Sequence, residues 1–167
     1  IDIKLRKTIL SIVEELDRTS GIINNLLSFN NVVRSDRISF VNVDLASIAD
    51  NSIKKLEALS FSKDITIETK KIRPHSVYGN ITALEQVVFN LLKNAINYTQ
   101  SGGKISVRVE PDYRGNVLLT IEDNGIGISK NDLAHIFEPF YRADRSRSRQ
   151  LGSSGLGLTI VSELVKM

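Results

Sequence analysis

From Leu5 the apolar positions run through Ile9, Ile12, Leu16, Ile23, Leu26 and Val33 with spacings of four and three, and only Thr19 and Asn30 interrupt the register. That period predicts a helix with a heptad seam. Leu10, Val13, Ile22 and Leu27 widen the stripe beyond a two-stranded seam, which points to a helix buried in a bundle of several. About 34 residues at the helical rise make a rod of roughly 50 Å, too long to pack wholly on one small domain, so partner helices are expected.

The period breaks from Ser35 to Val43, a stretch that reads as a linker, and Asp44 can then cap a second amphipathic helix to about Leu59. Ile65 and Ile67 alternate with polar residues as a short strand, Val77 and Tyr78 suit another, and Asn80 can cap a helix through Tyr98. Leu84, Val87, Val88, Leu91, Leu92 and Ala95 form the core face of that helix. Ile105, Val107 and Val109 alternate, Asp112 to Asn116 supplies a turn, and Val117 to Ile121 returns as the second strand of a hairpin. Ser129 with Asp132 resembles a capping box opening a short helix to Phe137, and a last helix starts near Gly157. The expected organisation is a long helix over 1–34, a linker over 35–43 and, over 44–167, an α+β domain built as a two-layer sandwich with a mixed, mostly antiparallel sheet.

A chain of 167 residues with 41% hydrophobic and 25% charged content suits one core plus an appendage. Its net charge of +3 is matched locally by Arg142, Arg145, Arg147 and Arg149 against Asp144. A local basic cluster favours a small polyanion such as a nucleotide over a nucleic-acid duplex, which meets a broad basic face. With no cysteine there is neither a disulfide framework nor a thiolate zinc site, and only His75 and His135 offer imidazole. The composition fits a reducing cytosolic setting. The stretch contains no apolar run of about 18 residues and no signal-peptide start, so no membrane contact is expected of it.

Gln86, Asn90, Asn94 and Asn97 share one face of the Asn80 helix, roughly opposite its core stripe. Carboxamide oxygens are hard neutral ligands able to hold a magnesium ion that already carries phosphates and water, though an ordinary solvated helix face looks the same. Asp123-Asn124-Gly125-Ile126-Gly127-Ile128 places a carboxylate at a strand end before two glycines. A carboxylate there can accept a hydrogen bond from an exocyclic amine such as that of adenine, while Asn-Gly alone reads as a turn. Gly152-Ser153-Ser154-Gly155-Leu156-Gly157-Leu158 runs into the last helix, whose N-terminal amides can receive phosphate oxygens. Neither a P-loop nor a complete Gly-x-Gly-x-x-Gly is present. Between the glycine clusters, 142–150 is rich in Arg and Ser, as suits a loop that closes on phosphates or one that is simply solvated.

Taken in order, Asn90-Leu91-Leu92-Lys93-Asn94-Ala95, Asp123-Asn124-Gly125-Ile126-Gly127-Ile128, Ile136-Phe137-Glu138-Pro139-Phe140-Tyr141-Arg142 and Gly155-Leu156-Gly157-Leu158 resemble the N, G1, F and G2 boxes of the histidine-kinase branch of the GHKL ATPase superfamily. Upstream, Arg18-Thr19-Ser20-Gly21-Ile22-Ile23-Asn24-Asn25-Leu26-Leu27-Ser28-Phe29 resembles the second helix of the dimerisation and phosphoacceptor domain, so 1–34 would be that helix and 44–167 the catalytic domain, of the GHKL (Bergerat) fold. By this resemblance Asn94 would ligate Mg2+, Asn90 would line the metal and phosphate site, and Lys93 and Arg142 would contact phosphate oxygens of ATP. Asp123 would read the adenine amine, with Gly125, Gly127, Ile128 and Tyr98 beside the nucleotide. Gly155, Leu156 and Gly157 would shape the phosphate end, and Phe137 and Phe140 would seat the lid by packing. The reaction implied is transfer of the ATP γ-phosphoryl to a histidine, for relay to an aspartate of a response regulator. Hydrolysing relatives usually carry a water-activating Glu where this chain has Asn90, which favours a kinase over an ATPase.

The family's phosphoacceptor box is absent, and His75 and His135 fit surface or packing roles, so this stretch alone is expected not to autophosphorylate. Its partners would be ATP or ADP, a first dimerisation helix bearing the acceptor histidine, a response regulator, and a second copy through the N-terminal helix. The kinase region would be cytoplasmic on a membrane-anchored parent. The family usually continues past Met167 with a glycine turn and two strands, so the C-terminal strands are expected to be missing and a sheet edge left open. Asn97 stands where the family often has a basic residue, and Ser153-Ser154 where Gly-Thr is common. Other readings are a different GHKL protein and a helical interaction module without catalysis.

Overall fold

The computed structural model describes residues 5–6, 8–13, 15–16, 19–21, 23, 39–70, 74–143 and 154–167. The described positions between 5 and 23 are helical, and Leu5, Ile9, Ile12, Leu16 and Ile23 are each about half exposed, as the heptad pattern requires of a seam awaiting partners. The seam positions Leu26, Asn30 and Val33, and residues 35–38 of the expected linker, lie outside the described residues. The end of that linker is a strand: β1, Val41–Asp44, pairs antiparallel with β3, Ser76–Gly79, a pairing with a partner 35 residues on that two alternating valines could not announce.

Asp44 ends β1 and caps α1, Leu45–Ser62; its carboxylate accepts from Ala46 N–H (3.2 Å), Ser47 Oγ (2.6 Å) and His75 N–H (3.0 Å). One side chain thus starts a helix and ties it to the β3 approach. Leu45, Ile48, Ala49, Ser52, Leu56 and Ser60 form the buried face at helical spacing. Beyond a turn at Lys63 and Asp64 comes β2, Thr66–Lys70, then β3 and α2, Ile81–Tyr98. Asn80 caps α2 by accepting from Ala83 N–H at 2.9 Å. The hairpin strands β4, Lys104–Pro111, and β5, Val117–Asp123, follow, joined by a turn that the Asp112 carboxylate closes on Arg114 and Asn116 N–H at 2.8 Å each.

The second sheet has the order β2-β4-β5, with β2 parallel to β4 and β4 antiparallel to β5. Alternation sends Ile105, Val107 and Val109 of β4 inward, each fully buried, against Val88, Leu92 and Ile96 of α2 and Ile48, Ala49 and Leu56 of α1. Each such Val, Leu or Ile side chain contributes about 1.5–3 kcal/mol on burial. The opposite sheet face carries Glu68, Lys104, Arg108 and Glu122, so the domain has two layers, helices over sheet. Within the core face expected of α2, Leu84, Val87 and Leu91 are only half-buried. Ala83 instead joins Leu156, Ile160 and Leu164 of α4, Gly157–Val165, in a smaller second cluster. The helix opened by Ser129 is a single turn, α3, Lys130–Leu133, rather than a helix to Phe137.

Candidate functional site

The amide ridge of α2 emerges between its two packing partners, α1 and α4. Gln86, Asn90, Asn94 and Asn97 are all half-buried. Asn97 is already engaged, since its Oδ1 accepts from Lys63 Nζ (3.3 Å), which also reaches the Ile96 carbonyl at 3.1 Å and so compensates the helix C-terminus. Asn90 is not: its Nδ2 is enclosed and makes no hydrogen bond among the described residues. Beside it stands Gly157, the first residue of α4, where a Cβ would come within 3.9 Å of Asn90 Oδ1. The N-terminus of α4 has no side-chain cap. An unspent carboxamide next to uncapped helix amides provides donors and a favourable dipole for an anion, with oxygens at hand for its counter-cation.

At the C-terminal end of α2 the β5 strand delivers Asp123. Its Oδ1 accepts from Gly125 N–H at 2.9 Å, its other oxygen makes no hydrogen bond among the described residues, and the side chain is exposed. Asn124 is spent on structure, accepting from Lys104 N–H at 2.8 Å through Oδ1. The loop then lies against the end of α2: Ile126 N–H donates to the Tyr98 carbonyl (3.2 Å), and a Cβ on Gly125 would meet that oxygen at 2.4 Å. Only glycine permits this approach. Ile126 and Ile128 remain exposed at 44% and 48%, leaving an apolar rim beside the free carboxylate oxygen.

The F-box turn is joined to the start of α4 by backbone. Phe140 N–H donates to the Gly155 carbonyl at 3.0 Å, with Phe140 at φ 64° and Gly155 at φ 73°. A Cβ on Gly155 would press within 2.9 Å of the Phe140 carbonyl carbon. Among the described residues the packing expected of Phe137 and Phe140 is not seen: both rings are at least half exposed, and Phe140, at φ 64°, meets Gly155 through its backbone N–H. Leu156 is a core side chain, 5% exposed, and its N–H is given to Ser154 Oγ at 3.3 Å. Lys93 is exposed, with Nζ 5.9 Å over the Phe89 ring, on the flank of the ridge rather than over Asn90. Arg142 is half-buried directly after the turn; Arg145, Arg147, Arg149 and Ser153 lie outside the described residues.

Three polar contacts here were not singled out from sequence as a set. Ser129 Oγ donates to Asp132 Oδ2 (2.6 Å), Tyr141 OH donates to Asp132 Oδ1 (2.7 Å), and the His135 ring pairs with Glu138 through Nδ1 (2.7 Å). The Ser129 and Tyr141 hydrogen bonds hold the Asp132 carboxyl below its usual range, and the bond to Asp132 pushes the Tyr141 phenol up. Ser129 and Asp132 were legible as a cap; Tyr141, nine residues away across an irregular turn, has no periodic signal. No group of three or more His, Cys, Asp or Glu side chains gathers among the described residues, and the carboxamide oxygens of the ridge are hard neutral donors. An apolar hollow of about 270 Å³, lined by Phe40, Tyr78, Leu84, Val87 and Leu164, sits at the opposite, N-terminal end of α2 and is separate from this site.

A two-layer α+β domain with an amide ridge, a strand-end carboxylate and an uncapped helix start is a nucleotide-binding class of architecture. Residues 79–167 match the family described as histidine kinase-, DNA gyrase B- and HSP90-like ATPase, and the chain belongs to that family of ATP-binding domains. It is 30% identical over 161 residues to the sensor-like histidine kinase SenX3 of Mycolicibacterium smegmatis, covering 96% of this chain and 42% of that protein. It is 32% identical over 165 residues to the sensor histidine kinase CpxA of Escherichia coli, covering 96% of this chain and 35% of that protein. Among solved structures the histidine kinase AdeS of Acinetobacter baumannii superposes with a TM-score of 0.68 at 27% identity, covering 99% of this chain and 74% of that one. The chain spans less than half the length of these curated relatives.

Proposed function

We propose that this chain is the ATP-binding catalytic portion of a two-component sensor histidine kinase, which transfers the γ-phosphoryl of ATP to a histidine imidazole for relay to a response-regulator aspartate. The observation that carries the reading is the unspent amide of Asn90 set against Gly157 at the uncapped start of α4. Asp123 would accept the adenine amine through its open oxygen, while the Tyr98 carbonyl holds the Gly125 loop flat beside the base. The α4 amides and Arg142 would take the phosphates. Asn94, with Asn90, would hold a magnesium ion through carboxamide oxygens, and that ion would supply charge neutralisation on the phosphates. Neither Asn90 nor Asn94 is a base, so the site positions a phosphoryl group without activating water for hydrolysis. His75 is half-buried with its Nε2 enclosed and His135 is paired with Glu138, which leaves the acceptor histidine to another segment. Arrangement as a membrane-anchored dimer with a cytoplasmic kinase region belongs to the same proposal; no helix among the described residues is long and apolar enough to cross a membrane.

Calorimetric titration with ADP and a non-hydrolysable ATP analogue, with and without magnesium, tests this. Wild type should bind, Asp123→Asn should abolish binding of both nucleotides, and Asn94→Ala should remove the magnesium dependence while adenine recognition survives. A well-folded wild type that binds neither nucleotide refutes the catalytic reading. With binding established, phosphotransfer to a supplied histidine-bearing helix is the direct assay.

A further inference from the structure

From Ser129 to the start of α4 the chain is stitched by hydrogen bonds through Asp132 and Tyr141 to the Phe140–Gly155 backbone bond, and Ser129, Asp132 and Tyr141 are not among the groups expected to touch nucleotide. Ser129, which closes the loop begun at Asp123, donates through Oγ to Asp132 Oδ2 at 2.6 Å and accepts from Asp132 N–H at 3.2 Å. Asp132 Oδ1 accepts from Tyr141 OH at 2.7 Å. Tyr141 lies between Phe140, whose N–H is bonded to the Gly155 carbonyl at 3.0 Å, and Arg142. Its own carbonyl oxygen would be 3.0 Å from a Cβ on Gly155, so the Phe140–Tyr141 backbone rests directly on the residue that leads into α4. The His135 ring lies 5.3 Å from the Tyr141 ring and Glu138 accepts from Tyr141 N–H at 3.2 Å, which hold the phenol in place from the other side.

We propose that Asp132 is a positioning residue: through Tyr141 it sets the Phe140–Arg142 turn against Gly155, so that Arg142 and the amides at the start of α4 meet the same phosphates. The inference rests on the nucleotide-site reading above and adds to it a residue that never contacts the ligand. Both carboxylate oxygens of Asp132 are used, one toward the base side and one toward the phosphate side. An exposed cap would need only the Ser129 half. A hydrogen bond to an ionised acceptor is the stronger kind, and phenol to carboxylate at this length is one. The consequence is specific to ligand length. Asp123 and the Gly125 loop are held by Tyr98 and Lys104, which are independent of Asp132, whereas the Phe140–Arg142 turn is not.

The test is titration of the full chain with adenosine, ADP and a non-hydrolysable ATP analogue in the presence of magnesium, for wild type, Asp132→Ala, Asp132→Asn and Tyr141→Phe. Asp132→Ala and Tyr141→Phe should each weaken the ATP analogue by about tenfold, the order expected when one charge-assisted hydrogen bond stops holding its partner, with adenosine affinity within about twofold of wild type. Asp132→Asn, whose amide oxygen still accepts from Tyr141 but without the charge, should recover part of the loss. Equal losses for adenosine and the ATP analogue, or no rescue by Asn, would show that Asp132 only stabilises the fold and overturn the inference while the nucleotide-site reading stands. Failure of wild type to bind any of the three ligands overturns that reading, and this inference falls with it.

Discussion

At the scale of single residues, the two glycines that border the site are required for different reasons, and the difference can be measured. At Gly125 a Cβ would lie 2.4 Å from the Tyr98 carbonyl, a backbone atom that cannot swing away. Gly125→Ala should therefore displace the loop, destabilise the domain by about 1–3 kcal/mol in denaturant unfolding, and weaken adenosine as much as ADP. At Gly157 the nearest atoms to a Cβ are those of the Asn90 carboxamide, at an ordinary contact distance of 3.9 Å. Gly157→Ala should leave stability within about 0.5 kcal/mol of wild type while covering the amide and weakening ATP relative to adenosine. The motif in which each glycine stands is visible in the sequence. Which of them is packed against backbone is not, because Tyr98 and Gly125 are brought together only when β4 leaves the end of α2 and the hairpin returns as β5.

The elements are started and joined by short polar side chains, and Asp44 shows the consequence for pH. Its carboxyl is held below the ordinary value of 3.8 by the hydrogen bond from Ser47, with further bonds from His75 and Ala46, against a smaller opposing effect of burial. A carboxyl depressed in the folded state contributes stability that is present above its ordinary value and is lost as pH falls through the folded one. Glu68, Asp112 and Asp132 are shifted in the same direction, so the domain should lose stability on acidification below about pH 4. Asp44→Asn keeps a capping oxygen and should cost little near neutrality, yet make the acid limb shallower in chemical denaturation followed at decreasing pH. An acid limb identical to wild type would remove Asp44 from that account. The cap at Asp44 was readable from its position before an amphipathic run; its third bond, to His75, depends on β1 pairing with β3.

For the whole molecule, two surfaces are left without partners among the described residues. The helical positions Leu5, Ile9, Ile12 and Leu16 are each about half exposed or more, and β5 forms an edge of its sheet with Leu118 half exposed. An apolar stripe at heptad spacing buries itself most readily against its own kind, so sedimentation velocity should report concentration-dependent self-association. Ile9→Glu with Leu16→Glu should shift the population to monomer without lowering nucleotide affinity. Association that survives this change but is lost in Leu118→Lys would assign it to the sheet edge instead.

The heptad period, the capping residues and the order of the four boxes are local properties of the chain, and they were sufficient to place the starts of α1 and α2, the β4–β5 hairpin and the family. Periodicity records which face of an element is apolar, and capping records where an element starts. Neither records what meets that face. Thus Ala83 and Leu156, 73 positions apart, form a second small core that no single period contains. Phe137 and Phe140, apolar enough to be read as packing anchors, are exposed among the described residues, and the backbone N–H of Phe140 makes the connection to Gly155. Lys93 sits in the motif but faces Phe89, and Tyr141 reaches Asp132 across an irregular turn. Local pattern nominates residues that could serve a nucleotide. The tertiary structure decided which of them converge, because convergence depends on contacts between distant segments whose distances and directions no local pattern specifies.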